Sequence, residues 1–172
     1  MTSRETGAPD APPTIRRVEP ADHDAVWQIF HEVVSTGDTY AFAPDISRED
    51  ALAFWLSPAA HTFVAEHDGA IVGTYVLKAN QPGLGNHVAN AGYMVSARAA
   101  GRGIGSALAL HSFDTARALG FTAMQFNFVV STNTRAVALW QRCGFSIVGT
   151  IPGGFRHRTL GPVDVYVMHR FL

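Results

Sequence analysis

The residues best suited to chemistry in this sequence are three closely spaced glycines, Gly101, Gly103 and Gly105, which follow an apolar stretch and precede a helical pattern. Glycine lets the main chain approach a ligand closely and adopt positive φ, so several N–H groups can converge on one anion. The start of the next helix, near Ser106, adds free N–H groups and the positive end of its dipole. The expected ligand is a phosphate or diphosphate, with Arg102 as a cation at its rim. A plain tight turn explains an isolated motif of this kind equally well.

Two other phosphate-binding motifs do not fit these glycines. A Walker A loop ends in Gly-Lys-Ser/Thr, whereas Lys78 is the only lysine in the chain. A dinucleotide fingerprint needs Gly-x-Gly-x-x-Gly and an acidic residue at the end of the next strand. The spacing here is Gly-x-Gly-x-Gly, and the next strand runs into Val129-Val130-Ser131. A nucleotide-binding protein that uses the turn for another phosphate ligand stays open as an alternative.

The glycines lie inside a β-α-β-α pattern that would position them. A strand is predicted from His87 to Val95 and a long helix from the glycines to Leu119, where Gly120 can serve as its C-cap. A strand from Met124 to Val130 and a helix from Asn133 to Cys143 follow. Because a crossover helix joins the two strands, we expect them to be parallel.

The rest of the chain completes a mixed α/β layer fold of order β-α-α-β-β-β-α-β-α-β-β. Ser47-x-x-Asp50 resembles a capping box, and Asp68-Gly69 is a hairpin signal between two β-rich runs. A Gly/Pro-rich loop, Pro152 to Pro162, is predicted between the last two strands. The remaining predicted elements are strands over Thr14–Val18, Thr62–Glu66, Ile71–Leu77, Ser146–Thr150 and Val163–Arg170 and helices over Asp22–Val34 and Ser47–Leu56.

Length and composition restrict the class of protein. The 172 residues fit a single domain over residues 14–172, after a polar leader, residues 1–13, that we expect to be disordered. An apolar fraction of 47% with only 16% charged residues argues against global disorder. A formal net charge of -1 gives no basic field for nucleic acid or anionic lipid. No apolar run is long enough to cross a membrane, no secretory signal is recognisable, and one cysteine cannot form an internal disulfide. We therefore expect a cytoplasmic location.

Three motifs in order resemble the GCN5-related N-acetyltransferase (GNAT) family. They are Val95 followed by the glycine turn, Asn133-x-x-Ala136, and Leu139-Trp140-Gln141-Arg142-Cys143-Gly144-Phe145. The resemblance covers roughly residues 15–172, and Thr39 to Pro44 (TYAFAP) is similar to the phosphinothricin-acetyltransferase-like branch. It implies an α/β fold whose mixed, mostly antiparallel sheet carries helices on both faces. A central parallel strand pair would be splayed to form an acetyl-CoA cleft.

The resemblance also implies which residues hold acetyl-CoA. The main chain near Met94 and Val95 would pair with the pantetheine arm, and a main-chain N–H near Val95 would polarise the thioester carbonyl, as an oxyanion hole does. The side chain of Asn133 would contact the arm, although it can also cap its helix. Trp140 is assigned to the same cofactor site. The diphosphate would lie on the main chain of Arg102, Gly103, Ile104, Gly105 and Ser106.

The chain departs from the family pattern where the chemistry takes place. Asn90 stands where many relatives carry a glutamate base, and Trp140 stands where a tyrosine often protonates the leaving thiolate. Ala100 stands where an Arg or Gln usually opens the diphosphate turn. His87 is then the best titratable candidate for the base, directly or through water, although a histidine at a strand edge with no catalytic role is as good an explanation. Asn90 could hold a bridging water or the incoming amine.

Proximity and the oxyanion donor could instead carry the reaction, with solvent handling the protons. Strict alternation along the strand puts His87 and Tyr93 opposite Asn86 and Asn90, unless a bulge resets the parity. The eight histidines show no metal-ligand spacing, so no metal is expected. The segments Asn80–Gly85 and Pro152–Pro162 are expected beside the cleft, where they could contribute to specificity.

The resulting hypothesis is an acetyl-CoA-dependent N-acetyltransferase that acts on the primary amine of a small molecule, an amino acid or an analogue. Direct attack in a ternary complex is expected because the chain offers no credible covalent nucleophile. The alternative is a catalytically weak acyl-CoA-binding or sensor protein of the same fold, which the residues at Asn90 and Trp140 would suit. A homodimer is implied by the resemblance alone.

Overall fold

The computed structural model describes residues 11–172, so the expected leader lies almost wholly outside the described residues. One sheet has the strand order β1-β2-β3-β4-β5-β7-β6, and its pairs are antiparallel except β4 with β5. The strands are β1 (Thr14–Arg17), β2 (His61–His67), β3 (Ala70–Ala79), β4 (Val88–Val95), β5 (Ala123–Val130), β6 (Ser146–His157) and β7 (Gly161–Phe171). The helices are α1 (His23–Val34), α2 (Arg48–Trp55), α3 (Ile104–Ala118) and α4 (Thr134–Arg142).

The helices cover the two faces of the sheet, as the resemblance implies. The α1–α2 face buries Phe30 and Trp55 against strand residues that include Met94. The opposite face packs α3 and α4 against the sheet, with Leu108 and Trp140 among the buried residues. Each large apolar side chain removed from water contributes about 1.5–3 kcal/mol, so both layers are held on mainly by such contacts.

Local signals in the sequence are confirmed where the main chain turns. Asp68 and Gly69 both have positive φ, 52° and 73°, as the tight turn between β2 and β3 requires. The Ser47 hydroxyl accepts the N–H of Asp50 at 3.1 Å and caps α2. Gly120 ends α3 with a φ of 86°, the left-handed conformation that favours glycine.

The parallel pair β4–β5 is joined over only a short stretch. Its register pairs are Val88 with Ala123 and Ala89 with Met124, and beyond them the two strands diverge. On its other side β4 pairs with β3 without interruption, from Gly73–Val95 to Ala79–Ala89. The described β4 therefore has no bulge on that side, so side chains and main-chain groups alternate regularly along it. The divergence opens the splayed cleft that the resemblance implies.

The predicted loop from Pro152 to Pro162 is wrong. β6 continues to His157, and Phe155 pairs with Val163 on β7. The strand passes Pro152 through a register shift between Ile151 and Phe155, because a bulge tolerates proline and glycine inside an edge strand. The partner strand and the burial of Phe155 hold this segment extended, and the turn is confined to residues 158–160.

Candidate active site

The start of α3 has the open main-chain geometry that anion-binding helix starts share. Gly103 is its N-cap with a φ of 76°, and Gly101 has a φ of 79°. Within residues 11–172 no side chain caps this helix end, and its first turn holds no acidic residue. A Cβ built on Gly101 or Gly103 meets nothing within 4 Å, so the surface above the turn is open. The unpaired N–H groups of the first turn and the helix dipole are thus available to a negatively charged ligand.

The arginines nearest in sequence to this turn point elsewhere. The Arg102 guanidinium contacts the Asp68 carboxylate at 3.2 Å, and that of Arg98 donates to the Ile71 carbonyl at 2.8 Å. Arg135 and Arg142 of α4 instead border the space in front of the turn. Sequence reasoning missed both, although their separation of seven residues places them on one side of a helix.

A trough of about 850 Å³ runs from the glycine turn between α3, α4 and the end of β4. It brings together most of the predicted cofactor residues from four parts of the chain. Those on its wall are Val95, Gly103, Ile104, Gly105, Ser106, Asn133 and Trp140. Asn133 accepts the N–H of Ala136 at 3.3 Å, so its carbonyl oxygen caps α4. The remaining atoms of its side-chain amide can serve another contact.

Met94 does not face the trough. Ser96 N–H donates to the Val72 carbonyl at 2.9 Å, and Asn80 N–H donates to the Val88 carbonyl at 2.8 Å. Even-numbered residues of β4 therefore direct their main-chain groups to β3. Odd-numbered residues direct theirs to the gap between the diverging parts of β4 and β5, which we call the splay. Met94 is turned toward β3 and its side chain is buried against α1 and α2, whereas the main chain of Val95 faces the cleft.

Aromatic side chains line the narrow part of the splay, where a cavity of about 110 Å³ adjoins the trough. Trp140 is buried, with its ring centroid 4.8 Å from Tyr93 and 4.7 Å from Phe126. The Tyr93 hydroxyl hydrogen-bonds to Ser112 of α3 at 2.7 Å, and burial raises the pKa of Tyr93 above its ordinary value. These rings give the splay an apolar wall, and the Tyr93 hydroxyl within it stays in the neutral form.

Asn90 is engaged in holding the two strands. Its side-chain Nδ2 donates to the Gln125 carbonyl at 3.0 Å, directly after the main-chain pairing of β4 and β5 ends at Ala89–Met124. The amide thus supplies one further rung across the parallel pair. The register of β4 with β3 is uninterrupted from Ala89 to Val95, so Asn90 and Tyr93 lie on opposite faces of the strand, as the sequence predicted.

His87 is not brought to the cleft. It is exposed, precedes β4, and borders none of the three cavities described in this section. Its carbonyl accepts the N–H of Thr122 at 2.9 Å, at the end where β4 and β5 are joined. At a strand rise of about 3.3 Å per residue, His87 and Val95 are roughly 26 Å apart. The geometry therefore gives no direct role in the cleft to this histidine.

A third cavity, of about 540 Å³, opens on the α1–α2 side of the splay. Glu32 and Asp38 border it, and Glu32 accepts Ser96 Oγ at 2.9 Å and Ala97 N–H at 2.7 Å. His157 from the end of β6 borders it as well. Sequence reasoning missed the two carboxylates because nothing in their local pattern marks them as neighbours of β4.

The turn between β6 and β7 closes one side of this cavity. Arg158 N–H donates to the Gly37 carbonyl at 3.0 Å, which ties the turn to the segment after α1. Nδ1 of His157 accepts N–H groups of Thr159 at 3.2 Å and Leu160 at 3.3 Å. In the neutral ring the proton is then on Nε2, which makes His157 a hydrogen-bond donor toward its surroundings.

Two further kinds of feature are absent from the part of the chain that the structure describes. Over residues 11–172, no group of three His, Cys, Asp or Glu side chains lies close enough together to hold a metal ion. Among the same residues, no helix combines the length and apolar character needed to cross a membrane.

Comparison with known proteins places these features in context. The profile of the family described as "Acetyltransferase (GNAT) family" matches residues 24–145. N-acetyltransferase aca1 of Schizosaccharomyces pombe is 30% identical over 151 residues, which cover 78% of this chain and 72% of the relative. A GCN5-related N-acetyltransferase from Kribbella flavida is 45% identical with a TM-score of 0.89, over 94% of this chain and 98% of that one. A phosphinothricin acetyltransferase from Sinorhizobium meliloti, solved with AcCoA, is 24% identical with a TM-score of 0.81, over 94% and 89% of the two chains.

Proposed function

We propose, from the premise that this chain belongs to the GNAT family of acetyltransferases, that it transfers the acetyl group of acetyl-CoA to the primary amine of a small molecule. The chain is an N-acetyltransferase by its family; the acceptor, an amino acid or an analogue, is our inference. The observation that carries the proposal is the continuity of the open glycine turn with the splay between β4 and β5 through one trough of about 850 Å³.

The main chain at the start of α3 fits a diphosphate. Four N–H groups of a helix start have no intrahelical partner, and here the N-cap is Gly103, whose missing Cβ leaves the approach open. Arg135 and Arg142 would add positive charge from the opposite wall. The bound acetyl-CoA of the Sinorhizobium meliloti relative supports this co-substrate.

The acyl group would be presented inside the splay. The N–H of Val95 points between the diverging strands, where it could polarise a thioester carbonyl. Asn133 stands at the junction of all three cavities and could contact the arm. An amine held beside the thioester would attack its carbonyl carbon, the C–S bond would break, and the CoA thiolate would leave.

Proton transfer in this scheme does not depend on a side chain at the family's usual positions. Asn90 is bonded to Gln125 and His87 lies outside the cleft, while the Trp140 indole can donate a hydrogen bond but not a proton. We therefore infer that solvent reaching the open α1–α2 side removes the amine proton and supplies one to the thiolate. Positioning and the oxyanion donor would then provide the acceleration.

The acceptor would enter through the cavity of about 540 Å³. Its carboxylates, Glu32 and Asp38, would favour a cationic amine, and the turn tied to Gly37 limits its size. A small polar amine fits these walls better than an extended polypeptide.

The experiment is release of CoA from acetyl-CoA, measured against a panel of amino acids and small amines. We expect turnover with at least one primary amine and none with the matched tertiary amine, which has no proton to lose. The His87→Ala variant should keep the wild-type rate within twofold, because His87 lies outside the cleft.

A second candidate, an acyl-CoA sensor of the same fold, is favoured by the commitment of Asn90 to Gln125. Tight acetyl-CoA binding without turnover on any amine would establish the sensor and contradict the transferase. Tight binding of ATP or NAD, with no binding of acetyl-CoA, would contradict both.

Two further properties are part of the proposal. A homodimer is supported by the resemblance and by the edge strand β6, which exposes Ile147, Val148 and Ile151. Sedimentation velocity tests it, and a monomer at micromolar concentration would contradict it. A cytoplasmic location is inferred from the need for acetyl-CoA, and fractionation tests it.

A further inference from the structure

Tyr40, in the segment between α1 and α2, reaches into the splay with an unusual main-chain conformation. Its φ is 59°, a value that bulky residues seldom adopt. The hydroxyl accepts the N–H of Tyr93 at 2.8 Å and donates to the carbonyl of the same residue at 2.7 Å. A single side chain therefore holds both main-chain groups of one β4 residue.

Those two groups need a partner because of where Tyr93 lies on β4. As an odd-numbered residue it directs its N–H and carbonyl toward β5, but the main-chain pairing of β4 with β5 ends at Ala89–Met124. Buried main-chain groups without a partner are costly, so something must satisfy them in the splay. The hydroxyl of Tyr40 takes the place that a β5 residue would occupy in a continued ladder.

The Tyr40 ring also fixes the size of the splay at this point. A Cβ built on Gly92 lies 3.3 Å from both the Tyr40 hydroxyl and the Trp55 ring, so no space is left on that side. Tyr40 and Trp55 pack edge to face with their centroids 6.2 Å apart. The cavity that Tyr40 lines has about 110 Å³, against about 850 Å³ for the trough that leads to it.

The narrow cavity adjoins the trough. Tyr93, Asn133, Ala136 and Trp140 border both, so a chain that follows the trough from the glycine turn past Val95 enters the narrow part beside Trp140. What it meets there is the hydroxyl of Tyr40, held in place by its two hydrogen bonds and backed by Trp55. A group in that position acts as a rigid stop.

We propose that Tyr40 is the residue that determines acyl-chain length, because its hydroxyl, fixed on the Tyr93 main chain, closes the end of the acyl-CoA channel. This inference rests on the proposed function. An acetyl thioester fits against the hydroxyl, and each added methylene collides with it. A pocket that a substrate fits closely discriminates by about 10-fold or more for one methylene.

The test measures dissociation constants of acetyl-CoA, propionyl-CoA and butyryl-CoA by calorimetry. Wild-type protein should bind butyryl-CoA at least about 10-fold more weakly than acetyl-CoA. In Tyr40→Ala, where the stop is removed, the two constants should differ by less than about threefold. Tyr40→Phe keeps the ring and its packing but frees the space of one oxygen, so its propionyl-CoA constant should approach that for acetyl-CoA.

The matched control is Phe42→Ala. Phe42 packs on the Tyr40 ring at 6.1 Å between centroids but does not border the narrow cavity, so this variant should keep wild-type selectivity. Unchanged selectivity in both Tyr40 variants would overturn the assignment, and so would equal binding of the three thioesters by the wild type. If acetyl-CoA binds but the Tyr40 variants keep the wild-type selectivity among the thioesters, only the role of Tyr40 is refuted. If the protein binds none of the thioesters, the proposed function is refuted as well.

Discussion

The side chain of Asn90 can be interpreted either as a missing base or as a structural hydrogen-bond donor. As a substitute for a glutamate it is a lost base, because an amide accepts no proton at neutral pH. In the structure it donates Nδ2–H to the Gln125 carbonyl at 3.0 Å, a bond that no carboxylate can donate. The residue that this position needs for holding β4 to β5 is therefore an amide.

Asn90→Asp should destabilise the protein. The carboxylate would face the Gln125 carbonyl with no hydrogen to donate, which leaves a partly buried acceptor unsatisfied and repelled. The expected loss is about 1–3 kcal/mol in the free energy of unfolding, measured by urea denaturation. Asn86→Asp, at an exposed position just before β4, is the control and should stay within about 0.5 kcal/mol of the wild type. Equal stability of the two variants would show that the bond to Gln125 contributes nothing.

Tyr40 has an unfavourable main-chain conformation that places its hydroxyl against the main chain of Tyr93. A left-handed conformation costs a non-glycine residue roughly 1–2 kcal/mol. The two hydrogen bonds to Tyr93, at about 1 kcal/mol each, and the contact with Trp55 offset it. Burial raises the pKa of Tyr40 above its ordinary value, so the hydroxyl stays protonated and keeps its donor across the neutral range.

Helix α3 has a glycine of positive φ at each of its two ends. Gly103 at its start has a φ of 76° and Gly120 past its end has a φ of 86°, and a Cβ on either meets nothing within 4 Å. Replacing either with alanine therefore strains the main chain to a similar degree without a steric clash. Only the first lies where a diphosphate would approach.

Gly103→Ala and Gly120→Ala should separate stability from binding. Both should lose about 1–2 kcal/mol of unfolding free energy, because alanine is strained at positive φ. Gly103→Ala alone should weaken acetyl-CoA binding, by roughly 10-fold or more, since its methyl group stands between the helix N–H groups and the ligand. Fluorescence titration of both variants measures this. Equal affinity in the pair would remove the glycine turn from the binding site.

The elements that could be predicted from sequence are those whose signals are local. The Asp68-Gly69 hairpin, the Ser47 cap and the α3 region each follow from a few neighbouring residues, and their observed bounds agree within a residue or two. The extension of β6 through Pro152 could not be predicted, since it depends on pairing with β7 and on burial of Phe155. Pairing with β7 holds this segment in an extended strand, although its composition is typical of a loop.

In the whole molecule, the two halves of the site are built differently. The cofactor half comes from the continuous stretch between β4 and α4, so its motifs could be recognised and the trough contains most of the predicted residues. The proposed acceptor half gathers Glu32, Asp38 and His157 from distant parts of the chain, and Tyr40 would close the acyl channel beside it. Only the fold brings these together, as the contact between Tyr40 and Tyr93, 53 residues apart, illustrates.

The sheet joins the two halves by ending the pairing of β4 and β5 early. Helices α3 and α4 wall the trough on one face, and α1 and the segment after it wall the proposed acceptor side on the other. The splay would connect the trough with the proposed acceptor side. The apolar rings of Tyr93, Phe126 and Trp140, which line it, suit a neutral thioester.

A crystal structure of the chain with acetyl-CoA would show directly whether the cofactor binds in the trough and the cleft between β4 and β5. We expect the diphosphate on the main-chain N–H groups of residues 103–106, the pantetheine arm beside Val95 and Asn133, and the acetyl group against the Tyr40 hydroxyl. A diphosphate bound away from the start of α3, or an arm that does not enter between β4 and β5, would contradict this expectation.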